Sequence, residues 1–251
     1  MLRIETKWSA FLVPAVLLPI ALAACGVAAT SAPAAAMAPV TAAASEEFTY
    51  GNNGENVAID SVVSSDALNQ LTTDILSDAE IEGLLYMREE EKLAWDVYLT
   101  LYEKWGMRIF QNISGSEQTH MDAVKTLLDR YDLEDPAAGT DVGVFTNPTL
   151  QELYDQLVDE GSQSLADALR VGAAIEEIDI LDLEERIAQT DNSDIQLVYE
   201  NLMRGSRNHL RAFVSILERQ TGEIYQPQYL SQTTYDAIVN TPRESGRGRT
   251  F

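Results

Sequence analysis

The sequence predicts an all-α protein, a four-helix bundle with a long crossover connection between helices two and three. Three observations predict it. Apolar residues recur at helical spacing in four long stretches between about residue 79 and residue 220. No sustained alternation of β-branched residues marks a strand. The breaks between stretches one and two, and between three and four, are short and so make antiparallel neighbours, whereas Asp132 to Gln163 is long enough to cross the bundle.

The first element is a leader. Met1 to Lys7 carries Arg3 and Lys7, and Ala10 to Ala24 is apolar and uncharged. That run is short for a membrane span and has the form of an export signal. It ends Leu22-Ala23-Ala24-Cys25, which resembles the bacterial lipobox, and Cys25 is the single cysteine of the chain. The expectation is an exported protein, lipid-anchored to the cell envelope through Cys25. Cleavage at Ala-Leu-Ala or Ala-Ala-Ala, leaving a soluble secreted protein, is the alternative. Gly26 to about Ser45 is Ala, Pro, Ser and Thr and reads as a tether. Glu46 to Ser77 is polar and acidic, with a short helix expected around Ser65–Ile75. Domains are therefore expected at 1–24 (leader), 25–77 (tether and acidic extension), 78–225 (bundle) and 226–251 (C-terminal extension, loose from Arg243 onward).

Helix one is expected at about 79–104, with Leu84, Met87, Glu91, Ala94, Tyr98, Leu101 and Trp105 inward. After a loop at Gly106–Ile113, helix two runs 115–131, capped by Ser114 or Ser116, with Ile113, Glu117, His120, Val124, Leu127 and Tyr131 inward. The crossover holds Pro136, Gly139, Gly143 and Pro148, then a short helix at Leu150–Asp159. Helix three runs 164–188, capped by Ser162 or Ser164, with Leu165, Leu169, Gly172, Glu176, Asp179 and Leu183 inward. After a loop at Gln189–Ser193, helix four runs 194–220, capped by Ser193 or Asp194, with Val198, Leu202, Ser206, His209, Phe213 and Ile216 inward.

The 251 residues are 45% hydrophobic and 23% charged, enough to bury a core. Forty acidic against 17 basic side chains give a net charge near −23. That argues against nucleic acid as a partner, and equally against electrostatic docking on an anionic membrane. One cysteine excludes an internal disulfide.

Each apolar stripe carries acid or imidazole near its middle: Glu91, then Glu117 and His120, then Glu176 and Asp179, then His209. An isolated buried carboxylate costs several kcal/mol unless paired or coordinated. Lys and Arg do not fall on these faces, so a divalent metal pair is the expected counter-charge. Glu117-x-x-His120 sets both side chains one turn apart on one face. The chain has two histidines, one on each predicted hairpin. Blander readings compete. Glu117 could stabilise the first turn of its helix, and His209 could be a packed core residue. Glu89, Glu90 and Glu177 rival Glu91 and Glu176, and Asp179 could support a ligand instead of being one. Tyr98, Trp95 and Tyr131 read as core packing, with redox roles as the unsupported alternative, and the run Arg88 to Lys92 as mostly solvated surface except where it turns inward.

Four segments carry a family resemblance: Met87–Tyr98, Ser116–Met121, Ile175–Leu183 and Gly205–Phe213. On these the domain resembles the ferritin-like superfamily, closest to its rubrerythrin-like branch, and is similar to an uncharacterised bacterial family of exported ferritin-like proteins. The resemblance implies a ferritin-like bundle with Glu91, Glu117, His120, Glu176 and His209 as metal ligands and Asp179 where a second carboxylate occurs. It implies a di-iron cofactor, with manganese and zinc also fitting, and peroxide reduction or ferrous-iron oxidation, with peroxide or oxygen as partner. Rubredoxin-type cysteine pairs are missing, so an electron donor is external. One departure stands out. Helix four should read Glu-x-x-His and reads Ser206-Arg-Asn-His209. That loss leaves room for a non-catalytic metal-binding or structural module of the cell envelope, and the bundle leaves room for a homodimer.

Overall fold

The computed structural model describes residues 68, 70–71 and 73–245. Six helices fall there: α1 Asp78–Trp105, α2 Arg108–Arg130, α3 Pro148–Gly161, α4 Leu165–Gln189, α5 Ser193–Thr221 and α6 Gln232–Val239. None of them is long and apolar enough to cross a membrane. α1 pairs with α2 and α4 with α5 along their lengths, and the crossover carrying α3 joins the two hairpins. The fold is the expected all-α bundle. The leader, Cys25 and the tether lie outside the described residues. Of the short helix expected around Ser65–Ile75, residues 65–67, 69 and 72 lie outside them as well; Leu68 is buried, Thr73 to Ser77 is not helical, and Ile75 is 97% exposed.

Local signals start and stop the helices. Ser77 caps α1 in a reciprocal box: its side chain accepts from Glu80 N–H, and Glu80 accepts from Ser77 N–H. Gly106, at φ 64°, ends α1 in the left-handed region that glycine enters without strain. Only Gly106 and Met107 separate α1 from α2. α2 thus begins seven residues before the expected 115. Ile109, Phe110 and Ile113 are buried and extend the apolar stripe backward. Ser114 bonds the Gln111 carbonyl and Ser116 meets His209, so neither is a cap. Asn147 caps α3, with Pro148 in its first turn. Ser164, not Ser162, caps α4. The N-cap of α5 is Asn192, without a side-chain bond, and not Ser193 or Asp194. Asp194 is instead held by Arg130, Tyr131 and its own Ile195 N–H.

The run Arg88 to Lys92 corrects the sequence expectation, because all five residues are buried. The crossover lies over this face and supplies partners. Arg88 pairs with Asp135 at 3.0 Å. Glu89 accepts from Thr146 and Asn147 N–H at the start of α3. Lys92 pairs with Asp96, donates to the Asp141 carbonyl and sits over the Phe145 ring. The packed body also continues past Tyr225. Tyr225, Leu230, Tyr235 and Ile238 are buried, and Glu177 accepts from Gln228, Tyr229 and Leu230 N–H. Glu244 pairs with Arg207 and Arg211, inside the stretch expected to be loose.

Two apolar clusters divide the interior. One is built around Tyr98, Phe110 and Phe213, the other around Leu84, Met87, Leu127 and Leu202. On α1, α2 and α5 the inward polar residues fall in the gap between the two clusters. That gap is the middle of the bundle.

Glu80 ties the start of α1 to the α4–α5 loop by accepting from Thr190 Oγ1 (2.5 Å) and Asn192 Nδ2 (2.7 Å). Burial raises its carboxyl pKa, but the bonds from Thr190, Ser77 and Asn192 bring it down to about 2. A depressed carboxylate contributes stability above its ordinary pKa of 4.5 and loses it as pH falls toward 2. Glu80→Gln is therefore expected to cost about 1–2 kcal/mol at pH 7 after allowance for solvent screening, and almost nothing at pH 2. Denaturant unfolding of both proteins across that range checks it; an equal cost at both pH values would contradict it.

Candidate metal centre

Four helices each contribute to the middle of the bundle: Glu91 from α1, Glu117 and His120 from α2, Glu176 and Asp179 from α4, Ser206 and His209 from α5. None is more than 6% exposed. Helical register alone accounts for three of the pairings. Glu117/His120, Glu176/Asp179 and Ser206/His209 are each three residues apart, so each pair shares a face one turn long. Glu117 lies in the third turn of α2, which excludes a role at the helix start.

Glu117 is the hub. Its Oε2 lies 2.9 Å from His120 Nδ1, and its Oε1 lies 2.9 Å from His209 Nδ1. Glu91 Oε2 is 3.2 Å from His120 Nδ1, and Glu176 Oε2 is 3.5 Å from His209 Nδ1. Two trios result, Glu91/Glu117/His120 and Glu117/Glu176/His209, each with donor atoms within 4.8 Å of one another. The imidazoles face each other with centroids 5.5 Å apart.

Outer contacts fix the donors. Tyr98 Oη donates to Glu176 Oε1 at 2.5 Å and lies 3.3 Å from the Gly172 carbonyl. Ser116 Oγ is 3.0 Å from His209 Nε2, which leaves Nδ1 to face the carboxylates. The Ser206 hydroxyl bonds Asp179 Oδ2 and the Leu202 carbonyl.

The electrostatics are those of an acid cluster short of positive charge. Burial pushes the Glu91 carboxyl up to about 7, with Glu117 adding and His120 opposing. Burial likewise raises Glu176, and raises Asp179 well above the carboxylate range with Glu91 adding. Glu117 goes the other way: burial disfavours its charge, but His120 and His209 hold it far below the usual range. In return, and against burial, Glu117 and Glu176 bring His209 up to about 10, and Glu117 and Glu91 raise His120 strongly. Glu91 Oε1 and Asp179 Oδ1 are buried without a hydrogen-bond partner. Unpartnered buried carboxylate oxygens beside imidazole Nδ1 atoms fit a divalent transition metal.

Of the six residues singled out as ligands, Glu91, Glu117, His120, Glu176 and His209 make up the trios. Asp179 belongs to neither; it stands beside them, turned to Ser206. The rivals have other work: Glu89 caps the crossover and Glu177 holds the 228–230 backbone. Ser116 as the partner of His209 had no signal in the sequence. Tyr98 had one, its place seven residues after Glu91 on the same face, although packing alone was expected of it.

Residues 80–242 match the family described as an uncharacterized protein domain, DUF2202. The chain is 55% identical over 182 residues to uncharacterized protein MJ0754 of Methanocaldococcus jannaschii, covering 72% of this chain and 98% of that protein. A crystal structure described as hypothetical protein MJ0754 from the same organism superposes with a TM-score of 0.68 at 56% identity, covering 69% of this chain and 99% of that one. The similarity thus reaches into the archaea, beyond the bacterial family expected.

Proposed function

The chain belongs to the DUF2202 family, and we propose that it holds two divalent metal ions, one at each trio, with Glu117 spanning both. The observation that carries this reading is the pair of equal 2.9 Å approaches of the two Glu117 oxygens to Nδ1 of two different histidines. Glu91 and Glu176 close the two ends. Tyr98 occupies Glu176 Oε1, so that Oε2 is the oxygen left to turn inward. The apolar clusters on either side exclude water and keep the donors from being solvated.

Mixed carboxylate and imidazole donors suit iron, and also manganese or zinc. With the ferritin-like, rubrerythrin-like resemblance, the reading extends to a di-iron oxidoreductase. Such a pair supplies one-electron steps on two neighbouring ions, for peroxide reduction or ferrous-iron oxidation, with electrons from an external donor. Export through the leader and anchoring at Cys25 belong to the same proposal. Ser206 in place of a carboxylate favours a second reading, metal binding without turnover.

Elemental analysis of the purified protein, free of any histidine tag, tests the site. Two equivalents of iron or manganese are expected, lost in His120→Ala/His209→Ala. No metal after anaerobic reconstitution with ferrous iron would sink the reading. Turnover with peroxide then separates the enzyme from the binding module.

A further inference from the structure

One buried carboxylate is used by neither trio. Glu90 is 5% exposed, no N–H or hydroxyl donates to either of its oxygens, and the group within hydrogen-bonding reach is another carboxyl, that of Asp182. Its strongest electrostatic neighbours are Asp182 and Asp179 on α4 and Glu91 on its own helix, all acidic. Ordinary packing does not account for such a residue, since an isoleucine or leucine there would avoid the several kcal/mol of desolvation.

Its surroundings form a file. On α4, Glu176, Asp179 and Asp182 follow one another at three-residue steps, about 4.5 Å apart along the axis. Glu176 is a trio residue. Asp179 is buried beside the trios with Oδ1 unpartnered. Asp182 is half-buried and reaches the surface, where Tyr86 Oη donates to it at 2.9 Å. Tyr86 and Glu90 are one turn apart on the same face of α1, which places Glu90 against the Asp179–Asp182 stretch. Arg186 lies over the Tyr86 ring, 5.2 Å from its centroid, and its Nη1 is turned to Gln189.

We propose that Asp182, Glu90 and Asp179 form a relay of transient divalent-cation sites through which metal passes from the surface to the Glu91/Glu117/His120 position. The relay rests on the two-metal reading. A hydrated cation entering the bundle must exchange its waters for other oxygens, and carboxylates at helical steps offer them in sequence. Each station is a single carboxylate, too little to trap the ion, while the trio beyond adds imidazole.

Anaerobic loading of the metal-free protein with cobalt(II), followed by its visible absorption, tests the relay without any assay of activity. Glu90→Gln and Asp182→Asn are expected to load about tenfold more slowly than wild type, with the same end point of two equivalents. Glu90→Gln is isosteric and removes a buried acid that faces other acids, so thermal melting should show an intact fold; Asp182→Asn, near the surface, guards against its failure. Glu152→Gln, an exposed acid on α3, controls for the general field and should load at the wild-type rate. Wild-type rates in both relay variants overturn the proposal. So does equal slowing in Glu152→Gln, or an end point of one equivalent in Glu90→Gln, which would make Glu90 a ligand. Failure of the wild type itself to take up cobalt refutes the metal centre, and the relay with it.

Discussion

Glu117→Gln is expected to empty both metal positions at once, whereas His120→Ala and His209→Ala each empty one. Each trio contains one histidine of its own and shares Glu117. Gln keeps the volume and one neutral acceptor oxygen but offers no anionic donor and no second oxygen, so one of the two approaches at 2.9 Å is lost outright and the other is weakened. Residues that merely orient a ligand cost about 10–100-fold in affinity when removed; a shared ligand should exceed about 100-fold at both positions. Calorimetric titration of the metal-free proteins checks the pattern of two, one, one and none. Loss of a single equivalent in Glu117→Gln would mean that the carboxylate serves only one ion. The metal-free protein has its own signature. Glu117 is the largest influence holding both imidazoles protonated against burial, with His209 at about 10. In Glu117→Gln that support goes and burial remains, so both histidines should titrate at lower pH in NMR spectra.

How far the sequence leads to this site depends on what periodicity can see. The apolar stripes place Glu91, Glu117, Glu176 and His209 inward because helical spacing fixes which residues share a face. The same rule finds Gly172 and Phe213 on facing stripes. Periodicity is blind to whatever lies over the other side of a helix. Arg88 to Lys92 reads as a solvated face until the crossover covers it with Asp135, Asp141 and the start of α3. No local pattern says where a 32-residue connection will lie. The start of α2 was misplaced for a related reason. Ser114 and Ser116 look like caps, but tertiary burial of Ile109, Phe110 and Ile113 extends the helix past them. Asp179 and Ser206 were legible as neighbours of the ligands but not as partners of each other, since that bond joins two helices.

Gly172→Ala is expected to be the most damaging small substitution in the bundle. A Cβ at this position would lie 2.4 Å from Phe213 Cε1 and 2.6 Å from Cδ1 and Cζ. The ring cannot swing aside. Phe213 is fully buried, with Tyr98 at 5.2 Å and Phe110 at 5.7 Å between centroids. The helices must therefore separate, at about 1–3 kcal/mol for overpacking, which for a domain of this size lowers Tm by roughly 2–12 °C. The damage should also reach the metal centre on one side. Tyr98, which lies against the Gly172 carbonyl, fixes Glu176 Oε1, so a displaced α4 loosens the Glu176/His209 position and spares the Glu91/His120 one. Phe213→Leu in the Gly172→Ala background removes part of the ring edge and should recover much of the lost Tm. Melting curves of the two single variants and the double variant measure the coupling directly. Additive losses would show that Gly172 does not set the distance between α4 and α5.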